Sequence, residues 1–333
     1  LDLTPFSCHN HPMETQIIKA PSAELRVVDL GKTRQIMTKG KAYHYGKLRN
    51  FLDTVETPLT VSTIKKMVEL KGDWWLDEML RRQDFEYVGK RLISLINRFG
   101  TLRGKKVLDI GSGSGSSAFV MMDKGAKSVQ GVEPNAKFVE LAEMRARDEG
   151  FQNSTLFMQV KDTTKLPFED GKFDIVTFSA VLEHIPPSLR QDIIKEAYRC
   201  LTPGGLLVFA ETPNRAFPFD GHTTGLPLIP WLPFWLAYPL AKKLSLRANR
   251  GFSKDKMIAE GLVGGSYWQI KKALPDATCL NLQGGDADWK CDLKKSGKIM
   301  RLILRLGEWK TRTIMKQPLN AWMPMLDLVF KKV

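Results

Sequence analysis

The sequence predicts an α/β protein built on a doubly wound, mostly parallel sheet with helices on both faces. Three observations carry that expectation: short apolar runs alternate with stretches of helical periodicity, a glycine-rich turn joins one such run to a helix, and acidic residues stand where strands end. The chain has 333 residues, 43% of them hydrophobic and 26% charged, which is ample for a buried core. This composition excludes a disordered, collagen-like or disulfide-framed chain. The cysteines Cys8, Cys200, Cys279 and Cys291 form no C-x-x-C pair, so a reducing compartment is the simpler expectation and no zinc or dithiol pattern is visible. No basic-then-apolar leader follows Leu1, which reads as a trimmed chain and not a secreted precursor.

The net charge of +14 is unevenly spread. Lys and Arg number 16 against 12 acids in residues 1–100, 15 against 15 in 101–217, and 19 against 9 in 218–333. A neutral centre beside a basic C-terminal third predicts different partners for different stretches.

Along the chain, residues 1–41 carry Pro5, Pro12, Pro21, Gly31 and Gly40 with weak periodicity, and are expected to form an arm. Residues 42–99 turn helical, with Trp74, Trp75, Met79, Tyr87, Val88, Leu92, Leu95 and Ile96 near 3- and 4-residue spacing, and predict a helical cap. The stretch from about residue 100 has the clearest rhythm. Strands are expected at Lys106–Ile110, Ser128–Glu133, Ser154–Gln159, Phe173–Ser179 and Gly205–Ala210, with helices at Ser116–Lys124, Asn135–Glu149 and Ser188–Cys200 between them.

Chemistry concentrates at the first strand. Gly111-Ser112-Gly113-Ser114-Gly115 follows it and opens a helix, where a backbone must turn tightly and leave room for a ligand. Asp109 lies two residues before the first glycine, and Glu133 ends the next strand, placed to accept hydrogen bonds from two ribose hydroxyls. A nicotinamide-binding turn would need a glycine at Ser116 and would not call for an acid beside a pyrophosphate. Asp109 suits a cationic ligand instead.

These residues are specific enough to name a family. Val107 to Gly115, with Val132-Glu133-Pro134-Asn135, resembles motif I and the following acidic strand end of class I S-adenosylmethionine-dependent methyltransferases. Lys161 to Phe168 resembles that family's adenine-edge loop, Phe173 to Ile185 its motif IV in the small-molecule branch, and Leu201 to Val208 the turn and strand that follow. The resemblance implies a Rossmann-like, seven-stranded class I methyltransferase fold over residues 100–333. It also implies S-adenosylmethionine as cofactor, S-adenosylhomocysteine as product, and no metal. Carried over by position, Asp109, Gly111, Ser112, Gly113 and Gly115 would sit by the methionine moiety, Glu133 with Pro134 by the ribose, Asp162 and Thr163 by the adenine. Ser179 and Ala180 would line the floor near the transferable methyl.

The family's sheet ends on an antiparallel strand, which Leu326–Val333 fits, with Thr278–Leu282 as its partner. On that pairing residues 215–275 and 284–324 are insertions on the substrate side, where specificity resides. Thr223 to Ala241 carries no charge and precedes Lys242-Lys243; its prolines argue against a membrane span. A lid, a bilayer-interface contact and a dimer contact all fit. Within the second insertion, residues 294–316 set Lys294, Lys295, Lys298, Arg301, Arg305, Lys310, Arg312 and Lys316 against one acid, Glu308. Ile299, Leu302, Ile303, Leu306 and Trp309 recur there at helical spacing, which predicts a basic amphipathic helix. Its charged face is either solvated over a packed stripe or turned to an anionic membrane surface, substrate or nucleic acid.

For a general base, His222 in Asp220-Gly221-His222-Thr223-Thr224 is the first candidate and His184, at the end of motif IV, the second. His9, His11 and Cys8 cluster in the arm without metal-site spacing. The expectation is thus a cytoplasmic or peripherally membrane-associated enzyme that methylates an oxygen, with a carbon or nitrogen as the alternative, of a small-molecule or lipid acceptor. An RNA methyltransferase is the second reading, although strand four lacks an Asn/Asp-Pro-Pro-aromatic run. A non-catalytic cofactor-binding regulator is the third.

Overall fold

The computed structural model describes residues 15–44, 47–83, 89–247, 249–286 and 298–333. Cys8, His9, His11, Tyr87, Val88, Cys291, Lys294 and Lys295 lie outside the described residues, as do the side chains of Lys298, Ile299 and Arg301.

The first part of the chain differs from the expected arm and cap. Thr15–Ala20 (β1), Ala23–Asp29 (β2), Arg34–His44 (β3), Lys47–Phe51 (β4) and Thr54–Thr57 (β5) form a five-stranded antiparallel sheet. Two of the breakers that suggest an arm are turn residues here, while Gly40 lies within β3 and Pro5 and Pro12 lie outside the described residues: Pro21 lies in the β1–β2 turn, and Gly31, at φ +86°, lies in the next one, where its N–H donates to Asp29 Oδ1. Helical structure begins only at Val61–Lys71 (α1), followed by a 3₁₀ turn at Gly72–Trp74, then Trp75–Gln83 (α2) and Gly89–Phe99 (α3). Leu25, Val27 and Ile36 of the sheet pack on Ile64, Met67, Trp75 and Met79 of these helices.

The main sheet is seven-stranded. Its strands are Lys106–Ile110 (β6), Ser128–Glu133 (β7), Thr155–Gln159 (β8), Phe173–Ser179 (β9), Leu201–Pro213 (β10), Thr278–Cys279 (β13) and Met325–Lys331 (β14), in the order β13-β14-β10-β9-β6-β7-β8. β6 to β10 run parallel, and β14 pairs antiparallel with β10 and β13, as the sequence resemblance implies. The remaining pair, Phe219–Asp220 (β11) and Leu226–Pro227 (β12), is a small ribbon. Alternation sorts the side chains. Leu108, Phe178, Leu207, Phe209 and Phe330 face one core, while Val107, Ile175, Val208 and Val329 face the other. Ser116–Asp123 (α4), Ala136–Asp148 (α5) and Arg190–Arg199 (α6) complete the crossovers.

The first insertion is shorter than expected. Phe234–Leu244 (α7) and Lys254–Ala259 (α8) follow the ribbon, but Tyr267–Ala273 (α9) packs on α6 and joins the main core through Tyr267, Ile270 and Ala273. It is the crossover helix that a chain needs to pass from β10 to the far edge of the sheet. In the second insertion Lys298–Thr313 (α10) is helical as predicted, and Glu308, its acid, faces inward and accepts from Asp286 N at 2.7 Å.

One buried cluster ties the N-terminal helices to the main sheet. Glu78 of α2 accepts from the hydroxyls of Ser114 and Ser116 (2.6 Å for the latter), lies 2.9 Å from Lys71 Nζ and 3.4 Å from Arg145 Nη1 of α5. Burial alone would push the Glu78 carboxyl up, but Lys71, Arg145, Arg81 and Ser114 outweigh it and hold it far below the usual carboxylate range. Arg145→Met should therefore destabilise the fold by about 3 kcal/mol, since it leaves Glu78 buried and under-compensated. Urea unfolding reads this out, and a change within experimental error would show that the cluster holds nothing together.

Candidate active site

The turn after β6 is built from backbone necessity. Gly111, Gly113 and Gly115 have φ of +66°, +53° and +85°, the left-handed region that favours glycine. Gly111 and Ser112 donate to Val132 O at 2.8 and 3.1 Å, which lays the turn across the end of β7. A Cβ at Gly111 would come within 2.8 Å of Val181, whereas one at Gly113 would meet nothing within 4 Å, so the turn is open on that side.

Two carboxylates stand at this edge. Glu133 accepts from Gly113 N at 3.2 Å with one oxygen and from Asn135 N at 3.0 Å with the other, leaving acceptor capacity on both for a diol. Asp109 is buried; Oδ1 accepts from Thr177 Oγ1 at 2.6 Å and Oδ2 has no partner. Burial pushes the Asp109 carboxyl up to about 7, Thr177 opposing and Glu133 adding to the shift. Ser112 Oγ is a second buried polar atom here without a partner.

Pro134 follows Glu133 in the open, with its carbonyl accepting from Gln159 Nε2 at 3.1 Å. Asp162 and Thr163 lie in the loop after β8; Asp162 is exposed, and hydrogen bonds from Thr164 lower its pKa. Ser179 ends β9, and Ala180 is held at φ +54°, its N–H donating to Ala210 O at 2.9 Å. The strained backbone at Ala180 starts the segment that brings Val181 against Gly111.

The two candidate bases meet, with ring centroids 6.0 Å apart. His222 is placed by Asp220, whose carboxylate accepts from the N–H groups of His222, Thr223 and Thr224 at 3.1, 2.8 and 2.9 Å. The walls around its ring, together with His184, lower the His222 pKa although the side chain keeps an exposed edge. Both rings line a cavity of about 360 Å³ with Tyr43, Trp74, Arg247 and Phe252. Tyr43 and Trp74 stack in parallel at 3.8 Å, so the N-terminal sheet supplies one wall of this cavity.

Several residues of this region escape a sequence reading. Glu78 and Arg145 sit on amphipathic helices where any charge looks solvated. Glu211 ends an apolar strand as Asp109 and Glu133 do, a signal that was there to be read. It has φ +60°, lies 3.7 Å from Arg91, and burial pushes its carboxyl up to about 7.

Residues 108–209 match the methyltransferase-domain family. This stretch is a class I S-adenosylmethionine-dependent methyltransferase domain. Curated relatives that the chain resembles include a ubiquinone biosynthesis O-methyltransferase of Coxiella burnetii, 30% identical over 46% of this chain and 62% of the relative. A demethylmenaquinone methyltransferase of Lactococcus lactis is 33% identical over 45% of this chain and 58% of the relative. The chain thus spans less than two thirds of the length of either. Among solved structures, a methyltransferase from Methanosarcina mazei is 32% identical, covering 36% of this chain and 57% of its own, with a TM-score of 0.33.

The methyltransferase domain's own atoms fit the cofactor. The unpartnered Asp109 Oδ2 and Ser112 Oγ can take the donors of an amino-acid moiety, and Glu133 two ribose hydroxyls. Asp109 binds its proton more tightly folded than unfolded, so its contribution to stability is full below about pH 3.8 and is lost as pH rises through about 7. Asp109→Asn should accordingly raise the melting temperature of the ligand-free protein at pH 8 and weaken S-adenosylhomocysteine binding at least about tenfold. Unchanged affinity would remove Asp109 from the site.

Proposed function

We propose that the chain transfers a methyl group from S-adenosylmethionine to an oxygen of a small, largely apolar acceptor. The observation that carries this reading is the pair of carboxylates at the glycine turn, one oxygen of Asp109 buried and unpartnered; the cavity walled by the stacked rings of Tyr43 and Trp74 supports an apolar acceptor. The cofactor, when bound, supplies an already electrophilic methyl carbon. The chain then has to align the acceptor and accept its proton. Asp109 and Glu133 hold and orient, Tyr43 and Trp74 offer a flat apolar wall, and His184 and His222 are the groups placed to take the acceptor's proton. The names of the relatives, a ubiquinone biosynthesis O-methyltransferase and a demethylmenaquinone methyltransferase, support a small-molecule acceptor over nucleic acid or a non-catalytic role.

The surface supports presentation at an anionic bilayer. Trp231 and Trp235 project from the first insertion beside Lys242 and Lys243, with Trp235 76% exposed. On α10, Leu302, Ile303, Leu306 and Trp309 are exposed and not packed as a stripe, next to Lys310 and Arg312. Among the described residues no helix is long and apolar enough to cross a membrane.

Incubation with methyl-labelled S-adenosylmethionine and a source-cell lysate, with and without phosphatidylglycerol vesicles, tests both parts. Label should appear in the organic-extractable fraction, faster with vesicles, and the vesicle effect should fall several-fold in a Trp235→Ser/Trp309→Ser variant. Label confined to nucleic acid would overturn the acceptor assignment.

A further inference from the structure

We propose that Glu183, His184 and His222 form a binding site for a divalent first-row metal ion, zinc being the best match. One ligand atom from each lies within 4.8 Å of the other two. Glu183 follows β9 and is 0% exposed, with no well-formed hydrogen bond to either carboxylate oxygen beyond the influence of the Thr212 hydroxyl and its own backbone, and Oε1 lies 3.7 Å from His184 Nε2. Arg190 reaches only the backbone carbonyl of Glu183, at 3.2 Å. A carboxylate removed from water without a direct partner is costly unless something else completes it.

The two rings are held as metal-bound imidazoles are held. His184 Nδ1 is bonded to Ala259 O. His222 Nδ1 lies 3.3 Å from Thr223 Oγ1, which itself donates to Glu260 O at 3.0 Å. With each Nδ1–H committed in this way, each Nε2 carries a lone pair for a cation, and the outer bonds set the tautomer and aim the ring. Both anchors belong to one turn, Ala259 to Gly261. At Gly261 (φ +91°) a Cβ would crowd Glu183 Cγ and His222 Nδ1, each at 3.2 Å, so a glycine keeps the three side chains close.

Two imidazoles and one carboxylate, with positions left toward a cavity, are a donor set that zinc takes in open sites. Ligand bonds of about 2.0–2.1 Å require the exposed rings to close inward by about an ångström. The sequence separates His184 and His222 by 38 residues and shows no metal-ligand spacing. In the methyl-transfer reading, on which this purpose rests, the metal would replace the two histidines as the group that deals with the acceptor's proton: a hydroxyl coordinated here would have its pKa lowered and would release its proton to water.

The test is to strip the full chain with chelator and titrate Co²⁺ alone, followed by its visible absorption, while S-adenosylhomocysteine binding is measured in the same samples. One Co²⁺ per chain is expected, with the intense bands of a low-coordinate site. Affinity should fall at least about tenfold in His222→Ala and in Glu183→Gln, with S-adenosylhomocysteine binding retained as the sign of an intact fold. No saturable Co²⁺ binding by the wild type, or equal binding by both variants, would overturn the site. Loss of turnover in His222→Ala with Co²⁺ affinity kept would return His222 to the role of base. Co²⁺ binding without S-adenosylhomocysteine binding would instead contradict the cofactor reading and leave the metal site standing.

Discussion

The buried contact of Glu78 with Ser114, Ser116 and Arg145 is the constraint on which the rest of the site depends. A turn with three left-handed glycines is cheap to bend and hard to hold still. Charged side chains from two helices grip it from behind: Arg145 donates to Ser114 O at 3.1 Å and Ser116 Oγ at 2.9 Å, while Glu78 accepts hydrogen bonds from both serine hydroxyls. The front of the turn is thereby left to Glu133 and Asp109. The same contact couples the N-terminal sheet to the methyltransferase domain, because the helix that carries Glu78 also packs under that sheet through Trp75 and Met79.

This coupling ties the N-terminal segment to the candidate site, whose proposed cofactor residues all lie beyond residue 108. The sheet brings Tyr43 to Trp74, and together they wall the cavity that His184 and His222 enter from the other side. Strands β6 and β9 supply the reaction edge, and the loops after β9 and β10 supply its titratable groups. Under the proposed function, specificity for an acceptor falls to elements outside residues 108–209.

What the sequence discloses follows how each element is buried. β6, β7 and β9 are covered on both faces, read as short apolar runs, and stand where the sequence places them, all three to the residue. The N-terminal strands are covered on one face, so Glu24, Arg26, Lys39 and Lys41 interrupt them and mimic an irregular arm. Asp109, Glu133 and the glycines are legible because local backbone geometry demands them. Glu78 and Arg145 are not, because 67 residues of chain separate partners that meet only in the fold. α10 shows both limits at once: its apolar period is readable, but only the fold reveals that Leu302, Ile303, Leu306 and Trp309 look outward.

The central claim is that Asp109 and Glu133 form a cradle for a cationic cofactor, and calorimetric titration with S-adenosylhomocysteine at pH 6 and pH 8 tests it most directly. A carboxyl that titrates near 7 when unliganded must ionise to meet an ammonium group. Binding should therefore be tighter at pH 8 than at pH 6, and the wild type should release more protons on binding at pH 6 than an Asp109→Asn variant does. Equal affinity at the two pH values with the same proton count in both proteins, or no binding at either, would contradict the account.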